Sequence, residues 1–201
     1  MTPLPFLLIL ASYLVGAVPF GVLLSRSSGI DIRTRGSGNI GATNVTRLLG
    51  KKLGMLTLLA DVAKGYLPMF VAARLLPDSS EKMTIIALCG GATVLGHMFP
   101  VYLGFKGGKG VATGLGVFLF LAPKAVLLCL LVFGAAVGLS GFVSLGSLLG
   151  SLAVIPGLWL LHEPVWKIVL ASFVVLLIWF KHSQNITRLL RGKEKSWKDK
   201  A

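Results

Sequence analysis

The stretch "VATGLGVFLFLAPKAVLLCLLVFGAAVGL", Val111–Leu139, is almost unbroken in apolar residues, and its reading decides the fold. A helical membrane span needs roughly 20 apolar residues. This run is too long for one span and short for two. Pro123 and Lys124 interrupt it. A proline disrupts a helix interior, and a lysine at mid-bilayer is costly. Four further runs come close to span length: Pro3–Leu24, Met55–Leu76, Met83–Leu103 and Val143–Leu161. A shorter one, Val165–Phe180, continues into a helical pattern.

Composition agrees with a chain built for lipid. Hydrophobic residues make up 55% of the 201 residues and charged residues 13%, where a soluble domain carries about a quarter charged. The expectation is an all-α polytopic membrane bundle, one membrane-embedded domain over residues 1–201. The first run is too long for a signal-peptide core and lacks a basic leader, so it is expected to stay as the first span. Cys89 and Cys129 lie inside apolar runs and read as small hydrophobes. With no CxxC, zinc spacing or disulfide framework, no metal and no cofactor is expected.

The net charge is +13. In a soluble protein such a charge suggests nucleic acid. Here the bases fall mostly between apolar runs, where membrane topology puts them, so nucleic-acid binding is set aside. Arg26–Lys52 carries six bases (Arg26, Arg33, Arg35, Arg47, Lys51, Lys52) and one acid, Asp31. Gly104–Gly110 carries Lys106 and Lys109, and the tail from Lys181 carries seven bases and two acids. Pro77–Lys82 holds Asp78 and Glu81. The positive-inside rule places the basic segments in the cytoplasm and the N-terminus outside. An undivided Val111–Leu139 gives six spans and leaves the basic tail outside. A split at Pro123 gives seven and a cytoplasmic C-terminus, which is the preferred reading. Val111–Ala122 is then short or tilted, since twelve residues rise only about 18 Å. Five spans with a re-entrant segment also satisfy the charges.

Three stretches could carry chemistry. "RGSGNIGATN", Arg35–Asn44, spaces its glycines as G-x-G-x-x-G. The residues before it are polar and basic, and Asp61 falls in an apolar run, so no βαβ unit surrounds it. Gly38 and its neighbours still permit amides to converge on an anion. Ser37, Asn39, Thr43 and Asn44 add neutral hydrogen-bonding groups. Thr43 or Asn44 could cap a short helix, and Arg47, on the same face, could take a phosphate bidentately. The plain alternative is a flexible loop with topology-setting arginines.

In "GHMFPVYLGFKGGKGVATG", Gly96–Gly114, the core around Lys106, Gly107, Gly108 and Lys109 fails the Walker spacing yet can cradle an anion ahead of a helix. Otherwise it is a basic turn. His97, alone, reads as a satisfied core histidine. In "KHSQNITRLLRGKEKSW", Lys181–Trp197, His182, Asn185 and Leu189 share a helical face with Arg188 beside it. A basic tail on anionic lipid explains Lys193 to Lys200 but not His182 or Asn185. Asp61 and Lys64 lie one turn apart in an apolar run, as a functional or a structural pair. Ser144 and Ser147 open a span, where helix packing is the plain reading.

Taken together, these blocks resemble the bacterial acyl-phosphate:glycerol-3-phosphate acyltransferase family, the PlsY type. "GSGNIGATN" with Arg47, "GHMFPVYLGFKGGKGVAT", "KHSQNITRL" with "RGKE", and "DVAKGYLP" carry the resemblance over nearly the whole chain. It implies acyl transfer from a fatty acyl phosphate to the 1-hydroxyl of sn-glycerol 3-phosphate, giving 1-acylglycerol 3-phosphate and inorganic phosphate. The partners implied are those two substrates and the bilayer, with functional coupling to the enzyme that makes the acyl phosphate. The setting implied is the bacterial inner membrane, with the site on its cytoplasmic face. The H-x-x-x-x-D signature of other glycerolipid acyltransferases is absent: Tyr102, Lys167 and Thr187 stand five positions after the histidines. Catalysis is expected to rest on positioning and charge. Lys106, Arg47 and the Gly107 and Gly108 amides would hold phosphates and the oxyanion, with Thr43, Ser144 and Asn185 orienting the substrates. The base is His182 or a substrate phosphate. A small transporter of phosphorylated solutes is the alternative of a different class, and it predicts polar residues continuing through several spans.

Overall fold

The computed structural model describes residues 3–197. Regular structure among them is entirely helical. In chain order the α-helices are α1 (Leu4–Ala17), α2 (Phe20–Ser25), α3 (Ala42–Leu49), α4 (Lys51–Leu75), α5 (Lys82–Met98), α6 (Val111–Leu121), α7 (Pro123–Ser140), α8 (Val143–Leu152), α9 (Val154–Leu160), α10 (Val165–Lys181) and α11 (Ser183–Leu190). Single 3-10 turns occupy Arg26–Ser28 and Val101–Leu103. Contacts gather into two compact units, Met1–Phe120 and Leu121–Ala201.

Close backbone approach builds the first unit. A Cβ on Gly16 of α1 would overlap the Thr93 carbonyl of α5, and one on Gly96 would overlap the Tyr13 carbonyl. Gly65 of α4 and Gly116 of α6 meet Thr113 and Val62 in the same way. Small residues let helices without a hydrophobic driving force pack by van der Waals contact. Between α1 and α2, Pro19 has no N–H to continue the ladder. The Val18 carbonyl there accepts from Lys64 Nζ at 2.8 Å. Tyr13 Oη ties α1 to the end of α5 by donating to the Phe99 carbonyl at 2.7 Å.

In the second unit, α7 opens on Pro123, at the first helical position where a proline is tolerated. The expected break in Val111–Leu139 is therefore present, and Ala122 is the one residue between α6 and α7. α7 packs on α8 and α9, and α10 packs on both. The last apolar helix does not run on into the tail as one rod: α11 turns by 61° from α10. His182, at the bend, donates from its ring Nδ1 to the Ile178 carbonyl at 2.8 Å.

Among the described residues, five helical segments are long and apolar enough to cross a membrane: Leu4–Ser28, Lys51–Leu75, Lys82–Leu103, Pro123–Ser140 and Val143–Leu160. The bent pair α10–α11 brings the number to six. Reaching seven requires α6, whose 11 residues rise about 16 Å, half a hydrocarbon core. The interior is mainly apolar, but so is much of the surface. Phe6, Leu131 and Leu176 stand exposed while Asp61, Lys64 and Asn185 are buried, as expected where lipid is the solvent.

Candidate active site

In the first unit, the Arg26–Gly41 connection is held by one side chain. Asn44, 1% exposed on α3, accepts from the Ser37 amide through Oδ1 at 2.9 Å. Its Nδ2 donates to the carbonyls of Ile32 (2.9 Å), Arg35 (3.2 Å) and Asn39 (2.9 Å). Gly36, at φ +65°, allows this closure, because a Cβ there would overlap Asn44 Oδ1. Asn39 Oδ1 accepts from the Gly41 amide at 2.8 Å, and the Gly38 amide donates to the Arg35 carbonyl at 3.0 Å. The Gly38 and Gly41 amides thus close the loop on itself. At the start of α3, whose cap is Gly41 and not Thr43 or Asn44, the amides of Ala42 and Thr43 have no partner among the described residues; the first amides of a helix have no partner within it. Arg33 is taken up by Asp31 at 2.9 Å, and that hydrogen-bonded pair holds the Asp31 carboxyl down at about 2.

The loop over 99–110 belongs to the same unit. Leu103 packs on the small core of Ile32, Ile40 and Val45, which sets the start of the glycine-rich stretch beside the first loop. His97 lies beneath that stretch. Its carbonyl accepts from the Gly108 amide at 3.1 Å, and a Cβ on Gly108 would overlap its ring. His97 Nδ1 is 3.7 Å from Asp61 Oδ1, and Asp61 in turn pairs with Lys64 at 2.9 Å. A buried polar cluster therefore underlies the glycine stretch, with a role for His97 that its sequence neighbours did not signal. Phe105, immediately before Lys106, has φ +65° and is 59% exposed. Among the described residues, the charged ends of Lys106 and Arg47 enter no hydrogen bond or ion pair. Ser37, Gly38 and Thr43 are exposed, and Asn39, Gly107, Lys109 and Arg47 are half-buried.

In the second unit, three expected site residues meet on one carboxylate. Glu194 Oε1 accepts from Ser144 Oγ at 2.9 Å and Asn185 Nδ2 at 2.6 Å. Its Oε2 accepts from Arg188 Nε at 2.7 Å. The Glu194 side chain is 7% exposed. Burial pushes its carboxyl up, but the hydrogen bonds from Arg188, Asn185 and Ser144 outweigh it and hold the group below the usual range. Ser147 is not part of this cluster; its hydroxyl bonds back to the Val143 carbonyl at 2.9 Å. His182 is buried at the α10–α11 bend. Since a carbonyl only accepts, Nδ1 carries the proton there and Nε2 is the basic nitrogen of the neutral ring. Glu194 was not singled out from the sequence because it stands in a run of lysines that reads as a solvated tail. The signal available was a carboxylate nine positions after Asn185 in a chain with only seven acids. Lys198 and Lys200 of that tail lie outside the described residues.

A family model described as glycerol-3-phosphate acyltransferase matches residues 6–192. The glycerol-3-phosphate acyltransferase of Desulfotalea psychrophila is 60% identical over 195 residues, covering 97% of this chain and 99% of that protein. Its counterpart in Myxococcus xanthus is 48% identical over 189 residues, covering 94% and 97%. Among solved structures, the chain is similar to PlsY, an integral membrane glycerol 3-phosphate acyltransferase. Its glycerol 3-phosphate form matches with TM-score 0.89 and 40% identity, and covers 96% of this chain and 94% of that one. Its lysophosphatidic acid form matches with TM-score 0.87 and 39% identity over the same shares.

Proposed function

This chain belongs to the glycerol-3-phosphate acyltransferase family, and we propose that it transfers a fatty acyl group from acyl phosphate to the 1-hydroxyl of sn-glycerol 3-phosphate. The observation that carries the reading is the pair of unengaged cations, Arg47 on the short polar helix α3 and Lys106 on the glycine-rich loop, in a chain otherwise built for lipid. Both substrates bear phosphate, and one bears an acyl chain that belongs in the bilayer. The reaction sits at the cytoplasmic face of the bacterial inner membrane, where the basic connections of the chain fall under the positive-inside rule. α6 rises through only about half a hydrocarbon core, and in this reading the loop that leads into it reaches the depth at which the acyl phosphate lies. Irregular backbone at such depth is tolerated where it is buried or lines a polar cavity.

The chemistry is a single displacement. The glycerol oxygen attacks the acyl carbonyl carbon, and the C–O bond to phosphate breaks. Inorganic phosphate leaves with the electron pair. The hydroxyl proton passes to His182 Nε2 or to a phosphate oxygen of a substrate. Acyl phosphate is already activated, so no covalent enzyme intermediate is required. Lys106, Arg47, the Gly107 amide and the first amides of α3 hold phosphate and steady the developing oxyanion. Ser37, Asn39, Thr43, Gly108 and Lys109 shape that pocket, and Asn44 fixes the loop that presents it. Ser144, Asn185 and Arg188 orient the acceptor. Purified protein given palmitoyl phosphate and glycerol 3-phosphate should release phosphate only when both are present. Release from palmitoyl phosphate alone would mean hydrolysis, and no release with both would overturn the assignment.

A further inference from the structure

The Glu194 carboxylate takes three side-chain donors, as a bound anion would, and its anchorage decides between a displaceable surrogate and a fixed part. Its segment is tied on both sides. Upstream, the Lys193 amide donates to the Arg188 carbonyl at 2.8 Å. Downstream, the Trp197 amide and Ser196 Oγ donate to the Gly141 carbonyl at 3.0 and 3.1 Å. Residues 192–197 thus form a strap from the end of α11 to the α7–α8 turn. Gly141, at φ +78°, receives the strap closely, because a Cβ there would lie 2.8 Å from Ser196 Oγ. A carboxylate on a backbone fastened at both ends is a fixed part.

A carboxylate only accepts hydrogen bonds, so it dictates the polarity of every group it touches. The Ser144 hydroxyl gives it its only hydrogen, which leaves that oxygen with lone pairs alone for any further partner. This departs from Ser147 and Ser151 of the same helix, whose hydroxyls turn back onto the Val143 and Leu148 carbonyls. Arg188 offers Nε to Glu194 and keeps its two terminal amino groups, the fork suited to phosphate. We propose that Glu194 is a positioning residue for the acyl transfer, gathering Ser144, Asn185 and Arg188 so that Ser144 meets the glycerol hydroxyl as an acceptor and Arg188 presents its fork to the glycerol phosphate. The inference rests on the acyltransferase reading.

Glutamine in place of Glu194 must turn an amide donor toward a donor, either Arg188 Nε or the Ser144–Asn185 pair. Glu194→Gln in the full-length protein should stay folded, with its melting midpoint lowered by a few degrees. Its kcat should fall about 100-fold, the scale of a misplaced reacting group. KM for glycerol 3-phosphate should rise while KM for palmitoyl phosphate holds. The losses from Glu194→Ala and Ser144→Ala should not multiply: the double variant should match the slower single variant within about twofold, as expected for groups acting as a unit. Ser196→Ala, which leaves the strap fastened through the Trp197 amide on the Gly141 carbonyl and does not touch the three donors, should keep near wild-type turnover. Wild-type kinetics in Glu194→Gln, tighter glycerol 3-phosphate binding in that variant, activity loss that merely tracks unfolding, or multiplicative losses in the double variant would each overturn the proposal. An inactive wild type would overturn the acyltransferase reading and this one with it; an active wild type beside an unaffected Glu194→Gln removes this one alone.

Discussion

A single buried amide organises the first loop, and its chemistry cannot be replaced by shape. Asn44 gives hydrogens to three carbonyls and takes one from an amide. Asn44→Asp keeps the size and the acceptor but offers no donor, and each orphaned buried group costs about 1–3 kcal/mol. The loop should open, and trypsin should cut after the exposed Arg33 and Arg35 much faster than in the wild type. Lys106 lies at the other extreme, exposed and unengaged. Lys106→Ala should keep the wild-type melting curve and lose most of its turnover; normal turnover would remove Lys106 from the phosphate site. Both residues were legible as polar groups among glycines. Their division of labour was not, because sequence spacing does not tell an asparagine that closes its own loop from one that reaches outward. Glu194 was hidden for a related reason, since a run of charges looks the same whether it is solvated or folded back.

Two elements carry buried charge, and they respond to different perturbations. In α4, Asp61 and Lys64 pair at 2.9 Å and Lys64 also bonds the Val18 carbonyl at the α1–α2 break. Lys64→Met leaves the buried Asp61 carboxylate with only the His97 ring beside it, at 3.7 Å, and should cost about 3–5 kcal/mol, as when one partner of a buried pair is removed. Asp61→Asn together with Lys64→Met should recover much of that loss in detergent melts. The 192–197 strap should respond to acid. Glu194 has a folded value below its ordinary value of 4.5, so its stabilisation is complete above the ordinary value and disappears as pH falls through the depressed one. The gap in melting temperature between wild type and Glu194→Gln should be constant from neutrality down to about pH 5 and shrink below it. Pro123 marked the joint before α7 plainly, because a proline has few places in a helix. The 61° turn into α11 had no such mark: it falls at a histidine whose ring bonds a carbonyl four residues back, and periodicity runs straight across it.

At the scale of the molecule, the apolar runs announced a membrane protein and their spacing announced most of its helices. Length alone does not tell whether an 11-residue helix such as α6 crosses. The orientation proposed here is open to direct labelling. The natural cysteines, Cys89 and Cys129, lie within α5 and α7. A cysteine placed at Ser79 should react from outside intact cells with a membrane-impermeant maleimide, and one at Ser28 should react only after the membrane is opened. The reverse pattern would invert the topology and move the site to the other face. One further consequence follows from the glycine contacts of the first unit. Gly16 and Gly96 seat backbone on backbone between α1 and α5, and Gly65 and Gly116 do so between α4 and α6, so within each pair the helices have no side-chain cushion over which to slide or tilt separately. When bilayer thickness changes, a helix free to tilt absorbs the mismatch itself. Each pair tilts only as one, and the surrounding lipid must stretch or compress to meet it.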